Sequence, residues 1–348
     1  MKILIIKLSA IGDVVQALPA LEAIKKAHPA SEIDWVVESA AAGILEGHPL
    51  IHRLLVSRRK EWLSSLTRPA TFLQGYRGIR DFIRELRSSR YDIAVDFQGL
   101  LKSGVLVGLA RAGRKIGFAG GRELSSLFLN EKLPPYDPEQ HALERYLDVA
   151  RHLGATDLSP LCTLPIAEER ERMRKRVAGL ERPGGALIAI NPIARWKTKL
   201  WEERKFAELA DRIIADHGAN VVFTGGPGDR DAVARIRSLM KQKAEDWTGR
   251  TTLKELAGLA SLTDLFITTD TGPMHLAAAT GARVLALFGP TAPWRTGPYG
   301  KGHLVVRMGI ECSPCFQREC GDVRCMRGIA VEDVERLVAD ALSKRSSG

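Results

Sequence analysis

Several features that would indicate other classes of protein are missing from this chain of 348 residues. No apolar run approaches the roughly 20 residues that a membrane-spanning helix needs. The opening apolar segment, 3–6, is too short for the core of a signal peptide and runs directly into Lys7. The pattern G-x-G-x-x-G of dinucleotide-binding folds is absent. We therefore expect a protein that is soluble or at most peripheral to a membrane, without a nicotinamide or flavin dinucleotide.

Cysteine is scarce and unevenly placed. Of five cysteines, Cys162 stands alone, and the other four follow the spacing C-x2-C-x4-C-x4-C at Cys312, Cys315, Cys320 and Cys325. Such a cluster can hold zinc or an iron–sulfur centre, but the spacing is not that of two standard zinc knuckles and no histidine lies within it. We predict a loop of reduced cysteines, with no metal and no cofactor.

The length and the order of apolar segments predict two domains, because a chain this long exceeds one hydrophobic core. Short apolar strands alternate with amphipathic helices in both halves, which is typical of parallel sheets covered on both faces. We predict an α/β fold of two Rossmann-like, doubly wound domains facing each other across a cleft. The domains are predicted over 1–170 and 184–330, followed by a helix over 331–343 that packs back on the first half. Pro19 is expected to kink or divide the first helix.

The segment 267–275 has the features of a pyrophosphate site. A strand ends there, Gly272 leaves the backbone open, and Pro273 suits the first turn of a helix. Free N–H groups at the positive end of that helix would attract an anion, with Thr271 and His275 nearby. The alternative is a simple helix cap by Asp270 or Thr271.

Three other segments carry possible ligands. The turn Gly225–Asp229 permits close approach of a nucleotide, and Asp229 has either a ribose hydroxyl or its own helix start as partner. Asp13 opens a helix after the first strand, where it fits both a general base and a first-turn carboxylate. Lys197 or Lys199 would neutralise a departing diphosphate. The residues alone leave each of these alternatives open.

Basic charge is concentrated in one part of the first half. Lys and Arg number 51 against 41 Asp and Glu, a net charge of +10. The stretch 58–90 has nine basic and three acidic residues, so it supplies +6 of that excess. Such a stretch attracts phosphates or an anionic membrane surface, unless it is only a solvated helix face.

These motifs resemble those of the lipopolysaccharide heptosyltransferases, inverting enzymes of the two-Rossmann class called GT-B. The resemblance covers nearly the whole chain, with the segments K-L-S-A-I-G-D-V at 7–14 and D-F-Q-G-L-L-K-S at 96–103 in the first half. In the second half the turn D-T-G-P-M-H at 270–275 matches. Further matching segments are 18–21, 34–38, 58–62, 91–95, 122–128 and 199–201.

The resemblance implies transfer of heptose from ADP-L-glycero-β-D-manno-heptose to a Kdo residue of Kdo2-lipid A, without a metal. It implies a monomer on the anionic inner leaflet of the inner membrane, in the cytoplasm. It assigns a catalytic base, a donor site and an acceptor site. The catalytic base is Asp13. The donor site consists of Lys199, Asp229, Asp270, Thr271, Gly272 and His275. The acceptor site consists of Arg58, Arg59, Lys60 and Arg122.

Two alternatives are compatible with the sequence. One is a heptosyltransferase II, or another family member that uses the same donor turn with a different acceptor. The other is a basic nucleic-acid-binding module, which should carry base-stacking aromatics among its cations. Trp62, Phe72 and Tyr76 are irregularly placed and no nucleic-acid motif is present, so we expect no nucleic acid partner.

Overall fold

The computed structural model describes residues 1–343 and divides the chain into two compact units, Met1–Pro165 and the part from Ile166 onward. The predicted first domain, 1–170, ends slightly beyond the first unit. The charged helix that precedes the predicted linker is Ala167–Ala178, and it belongs to the second unit. It packs closely on a helix of that unit at Gly258, where a Cβ would lie 2.9 Å from the Arg170 nitrogen.

The first unit has a six-stranded parallel sheet in the order β3-β2-β1-β4-β5-β6. Its strands are β1 (Lys2–Ile6), β2 (Glu32–Glu38), β3 (Arg53–Ser57), β4 (Tyr91–Asp96), β5 (Ala112–Phe118) and β6 (Glu131–Leu133). Its helices are α1 (Ile11–Gln16), α2 (Leu18–Ala27), α3 (Ser39–Leu45), α4 (Arg59–Leu66), α5 (Phe72–Leu86), α6 (Leu101–Leu109) and α7 (Ala142–His152). Short 3-10 helices span Pro69–Thr71 and Ser125–Phe128.

The second unit repeats the arrangement in the order β12-β11-β10-β7-β8-β9, again parallel throughout. Its strands are β7 (Leu187–Asn191), β8 (Asn220–Phe223), β9 (Glu245–Asp246), β10 (Leu265–Thr269), β11 (Val284–Phe288) and β12 (Leu304–Arg307). Its helices are α8 (Ala167–Ala178), α9 (Glu203–His217), α10 (Arg230–Ser238), α11 (Leu253–Ala260), α12 (Gly272–Ala279), α13 (Pro293–Thr296), α14 (Arg324–Arg327) and α15 (Val331–Ser343). Short 3-10 helices span Lys197–Lys199 and Pro227–Asp229.

Both sheets therefore have the doubly wound order 3-2-1-4-5-6, which confirms the predicted α/β class. In such sheets the strand order reverses between two central strands, and ligands bind beside the carboxyl ends of those strands. The central pairs are β1 and β4 in the first unit and β7 and β10 in the second. The fold therefore predicts that ligands bind beside the carboxyl ends of these four strands.

Buried apolar strands explain the two sheets. Ile3–Ile6 of β1 and all five residues of β7 and β10 are buried, as strands covered by helices on both faces require. Pro19 lies in the first turn of α2, and the helix that precedes it ends at Gln16, so the expected division is confirmed.

The last helix buries its apolar face within the second unit. Val331, Val334 and Val338 belong to the core that also contains Ile213 of α9, and Arg212 of α9 pairs with Glu332 at 2.6 Å. The sequence had predicted packing against the first half, which the amphipathic pattern alone cannot decide. Within residues 1–343, no helix combines the length and the apolar character needed to span a membrane.

Candidate active site

Asp13 lies just beyond the carboxyl end of β1, in the first turn of α1. Its Oδ2 accepts a hydrogen bond of 2.9 Å from the Ala10 N–H. The loop before Asp13 is held by Gln98, which lies just after β4. Gln98 Oε1 accepts hydrogen bonds from the Leu8 and Ser9 N–H groups at 3.2 and 3.0 Å. Asp13 is half-buried, at the reversal point of the first sheet, where a ligand of this fold would be found.

Glu38 joins this loop to the basic residues of α4. Glu38 is the last residue of β2, and its buried carboxylate accepts from Lys102 Nζ at 3.0 Å and pairs with the Arg59 guanidinium at 3.5 Å. Lys102 Nζ also donates to Ser9 Oγ at 2.7 Å. Arg59, a predicted acceptor residue, is therefore fixed to the Asp13 loop through three side chains. Glu38 and Lys102 had received no role, although both lie in segments that carry the family resemblance.

The segment D-F-Q-G-L-L-K-S builds a rigid turn after β4. Asp96 Oδ1 accepts from the Gln98 and Gly99 N–H groups at 2.8 and 3.0 Å, and its Oδ2 accepts from Ser103 Oγ at 3.0 Å. Gly99 has a φ of +64°, which other residues rarely adopt. Burial raises the pKa of Asp96 despite these bonds. The turn thus serves to present Gln98 and Lys102 to the loop before Asp13.

Lys7 is a buried cation under the same loop. Its Nζ donates to the Phe97 carbonyl at 3.4 Å and lies 5.1 Å from the ring centre of Tyr146. Burial lowers the pKa of Lys7, and the carboxylates of Asp13 and Asp96 oppose that shift. Lys7 is therefore a buried basic side chain whose protonation depends in part on the Asp13 carboxylate.

The remaining predicted acceptor residues follow other strands of the first sheet. Arg58 and Lys60 are exposed at the start of α4, just after β3. Arg122 lies in the connection after β5, where its N–H donates to the Gly99 carbonyl at 2.9 Å. The next two residues, Glu123 and Leu124, have left-handed φ values of 57° and 61°. Such conformations cost about 1–3 kcal/mol each and are typical of functional loops.

In the second unit, the structure brings Lys199 and Asp270 into contact. Lys199 follows β7, Asp270 follows β10, and Nζ lies 2.6 Å from the Asp270 Oδ2. The same oxygen accepts from the Thr291 hydroxyl at 2.6 Å, and Asp270 is only 7% exposed. The two predicted donor residues thus meet at the reversal point of the second sheet. Thr291 was missed, because nothing in the sequence marks a threonine in the loop after β11.

Cations gather on the ring of Trp196. Lys199 Nζ lies 4.4 Å and the Arg318 guanidinium carbon 5.1 Å from its centre. The segment that carries Arg318 is held in place because Thr198 Oγ1 donates to the Gln317 carbonyl at 2.9 Å. Sequence reasoning missed Arg318, which lies within the cysteine-rich segment far along the chain from Lys199.

The start of α12 is not capped by a side chain. Thr271 occupies the N-cap position of α12 without making a cap hydrogen bond, whereas Thr252, the N-cap of α11, accepts from the Glu255 N–H at 3.2 Å. The Thr271 hydroxyl is buried and has no hydrogen-bond partner within residues 1–343. Gly272 is the first residue of the helix and His275 is buried in its first turn. An uncapped helix start with a free hydroxyl suits a phosphate.

The Gly-rich turn after β8 uses Asp229 locally. Its Oδ2 accepts from the Gly226 N–H at 2.7 Å and so holds the 3-10 helix Pro227–Asp229. This bond is the structural role that the sequence had left open beside ribose binding. The two roles are compatible, because the bond engages one carboxylate oxygen.

The four clustered cysteines are free thiols, as is Cys162. Within residues 1–343, no three or more His, Cys, Asp or Glu side chains are arranged as a metal site. Burial raises the pKa of Cys325, whereas the Val323 and Asp322 N–H groups lower that of the exposed Cys320. The thiols of Cys320 and Cys325 are therefore in different environments, one exposed and one buried.

Comparison with known proteins gives a consistent result. The model of glycosyltransferase family 9 (heptosyltransferase) matches residues 79–323. Lipopolysaccharide heptosyltransferase 1 of Pseudomonas aeruginosa is 31% identical, with 92% of this chain and 87% of that protein covered. Lipopolysaccharide heptosyltransferase 3 of Escherichia coli is 29% identical, with 81% and 83% covered.

A solved structure agrees with these relatives. The heptosyltransferase WaaC of E. coli with ADP superposes with a TM-score of 0.77 at 26% identity, over 98% of this chain and 100% of that one. The expectation of a glycosyltransferase enzyme is thus confirmed. From the matched family model, the relatives and the shared fold, we conclude that this chain belongs to glycosyltransferase family 9, the heptosyltransferases.

Proposed function

We propose that the protein transfers L-glycero-D-manno-heptose from ADP-heptose to a Kdo residue of Kdo2-lipid A, with inversion. The observation that carries the proposal is the pair of sites at the reversal points of the two sheets. One has the half-buried carboxylate of Asp13, and the other has the uncapped start of α12 beside Lys199 and Asp270.

The donor binds at the second site. The diphosphate accepts hydrogen bonds from N–H groups at the start of α12 and from the Thr271 hydroxyl, while Lys199 supplies positive charge. Asp270 binds both Lys199 and Thr291 and so positions the lysine side chain. In that position the Lys199 ammonium contacts both the heptose and the phosphates of the donor.

In the transfer step, Asp13 acts as the general base. Asp13 removes the proton from the attacking Kdo hydroxyl, whose oxygen forms a bond to the anomeric carbon of heptose. The bond from that carbon to the diphosphate oxygen breaks on the opposite face, and ADP departs with the electron pair. Lys199 and the start of α12 stabilise the negative charge that develops on ADP, so we expect turnover without a metal.

The acceptor is held by cations of the first unit. Arg58, Arg59, Lys60 and Arg122 all follow carboxyl ends of strands in the sheet that carries Asp13. Kdo carboxylates and lipid A phosphates are anions, which suits these residues. We propose that the protein works as a monomer in the cytoplasm, on the anionic inner leaflet of the inner membrane.

A different acceptor is the second candidate function. Among the relatives is a lipopolysaccharide heptosyltransferase 3, so the shared family leaves room for another sugar of the core as acceptor. In that case the donor site keeps its role and the basic residues of the first unit bind another oligosaccharide.

One assay tests both candidates. The protein is incubated with ADP-heptose and Kdo2-lipid A in EDTA, and ADP release and product mass are measured. We expect one heptose to be added to Kdo2-lipid A. Turnover only on an acceptor that already carries heptose would contradict the first candidate and support the second, and a strict need for added metal would contradict the charge assignment.

A further inference from the structure

Large apolar side chains are exposed at one end of the α4–α5 hairpin of the first unit. Leu63 is 45% exposed, Phe72 49%, Leu73 64% and Tyr76 55%. These four residues lie within 14 positions of one another, in a part of the chain with two helices and a short connection. A cluster of exposed apolar side chains, unlike a single one, indicates a surface that contacts another apolar phase.

The hairpin that carries this cluster is held rigidly. A Cβ on Gly75 would lie 2.7 Å from the Trp62 carbonyl, and one on Gly78 would overlap the Trp62 ring, so α4 and α5 cross in close contact. The Trp62 ring packs on Phe82 with 5.4 Å between ring centres, at the edge of the core. The exposed side chains are therefore not the loose surface of a mobile loop.

The surface of α5 changes from apolar to basic along its length. Leu73 and Tyr76 are followed by exposed arginines three or four positions apart at Arg77, Arg80, Arg84 and Arg87. Residues at that spacing lie on one side of a helix. With Arg68, the segment 68–87 has five arginines against Asp81 and Glu85, and Asp81 pairs with Arg80 at 2.9 Å and Arg84 at 3.6 Å. An excess of positive charge remains.

The α4–α5 hairpin contacts the Asp13 loop at one point and carries exposed apolar residues at another. At its start, Arg59 is tied through Glu38 and Lys102 to the loop before Asp13. Leu63 lies further along α4, and the other exposed apolar residues, Phe72, Leu73 and Tyr76, lie in the first turns of α5. The hairpin thus joins the predicted acceptor site to an apolar surface.

We infer that the α4–α5 hairpin docks the enzyme on an anionic lipid bilayer, with this apolar cluster inserted among the headgroups and the arginines of α5 on lipid phosphates. An apolar end flanked by cations is the pattern of helices that lie in a membrane interface. The charge complementarity favours a bilayer over a second copy of this chain, because two such hairpins repel each other. This inference rests on the proposed function in that a lipid-anchored acceptor requires the enzyme at a bilayer.

The test compares two double variants. Phe72→Ser with Leu73→Ser removes half of the cluster, and Leu161→Ser with Leu239→Ser removes two other exposed leucines as the matched control. Binding is measured by sedimentation with vesicles of phosphatidylcholine containing phosphatidylglycerol, and with phosphatidylcholine alone. We expect wild type and control to bind the anionic vesicles, and the Phe72/Leu73 variant to bind them at least about tenfold more weakly.

Two further measurements separate the outcomes. All proteins are assayed for ADP release with ADP-heptose and deacylated Kdo2-lipid A, where equal turnover shows that the variants are folded and active. The inference would be overturned if the Phe72/Leu73 variant bound the vesicles as well as wild type does. It would also be overturned if light scattering showed a dimer for wild type and a monomer for this variant. Lack of turnover by wild type on every acceptor would overturn the proposed function and leave the vesicle result to decide the docking.

Discussion

Asp13 and Asp270 both follow a central strand of a parallel sheet, yet their surroundings differ. Asp270 is 7% exposed, and its Oδ2 binds both the Lys199 ammonium and the Thr291 hydroxyl. Asp13 is half-buried and accepts one hydrogen bond, from the Ala10 N–H, with no ion pair within residues 1–343. Both partners of Asp270 bind its Oδ2, whereas Asp13 keeps one oxygen without a protein partner within residues 1–343. The difference therefore favours Asp13 as the base and Asp270 as the residue that positions Lys199.

The loops around these carboxylates differ in the same sense. The loop before Asp13 is held by the side chains of Gln98 and Lys102. In the turn after Asp270, the Thr271 hydroxyl has no partner within residues 1–343, and Thr271 makes no cap hydrogen bond to α12. This difference is the basis for proposing the first site as the place of the reactive group and the second as the anion site.

The largest expected effect tests the first half of this comparison. Asp13→Asn keeps the shape and an oxygen for the Ala10 N–H but cannot take a proton. We expect kcat to fall by about 10²–10⁴-fold, the usual contribution of a general base. ADP release under saturating donor and acceptor measures the change, and thermal unfolding controls for the fold. Near-normal turnover would show that the comparison assigns the wrong carboxylate.

The second half of the comparison predicts a different change for the donor site. Lys199→Met removes the cation that binds Asp270, and we expect kcat/KM for ADP-heptose to fall by about 10²–10³-fold. Lys197→Met, two positions earlier and exposed, is the matched control and should leave turnover nearly unchanged. Equal losses in both variants would indicate that the 3-10 helix, and not the Lys199 ammonium, matters.

Two threonines at helix starts sharpen the contrast between binding and stability. Thr271→Val removes a hydroxyl without a protein partner, so we expect KM for ADP-heptose to rise about three- to tenfold, with no loss of stability. Thr252→Val removes the cap of α11, so we expect the free energy of unfolding to fall by about 1 kcal/mol while KM stays unchanged. Kinetics and urea unfolding of both variants give the answer. If Thr271→Val lowered the free energy of unfolding and left KM unchanged, the Thr271 hydroxyl would have only a structural role.

The smallest effect concerns Arg318, which shares the Trp196 ring with Lys199. Because Arg318 is exposed, we expect Arg318→Ala to raise KM for ADP-heptose only about two- to fivefold. Arg324→Ala, an exposed arginine of the same segment that pairs with Asp322, serves as the control. An increase of KM in both variants would point to general charge and not to the position of Arg318.

Local patterns predicted much of the fold and part of the site. The buried runs of β1, β7 and β10 mark central strands, and Pro19 divides the first helix where its ring requires. The turn at 270–275 predicts a helix start, because its proline suits the first turn of a helix, but it left open whether a side chain caps that start. The patterns could not decide which distant elements pack together, such as α15 and the core of the second unit.

The sequence by itself determined the class of fold and the family, because periodic apolar segments and local turn motifs need no distant contact to be recognised. Only the tertiary structure decided that Lys199 meets Asp270 across 71 positions of the chain, and that Glu38 ties Arg59 and Lys102 to the loop before Asp13. Such pairs form when strands far apart in sequence become neighbours in a sheet. Their charges then interact over a few ångströms, a distance that no spacing along the chain encodes.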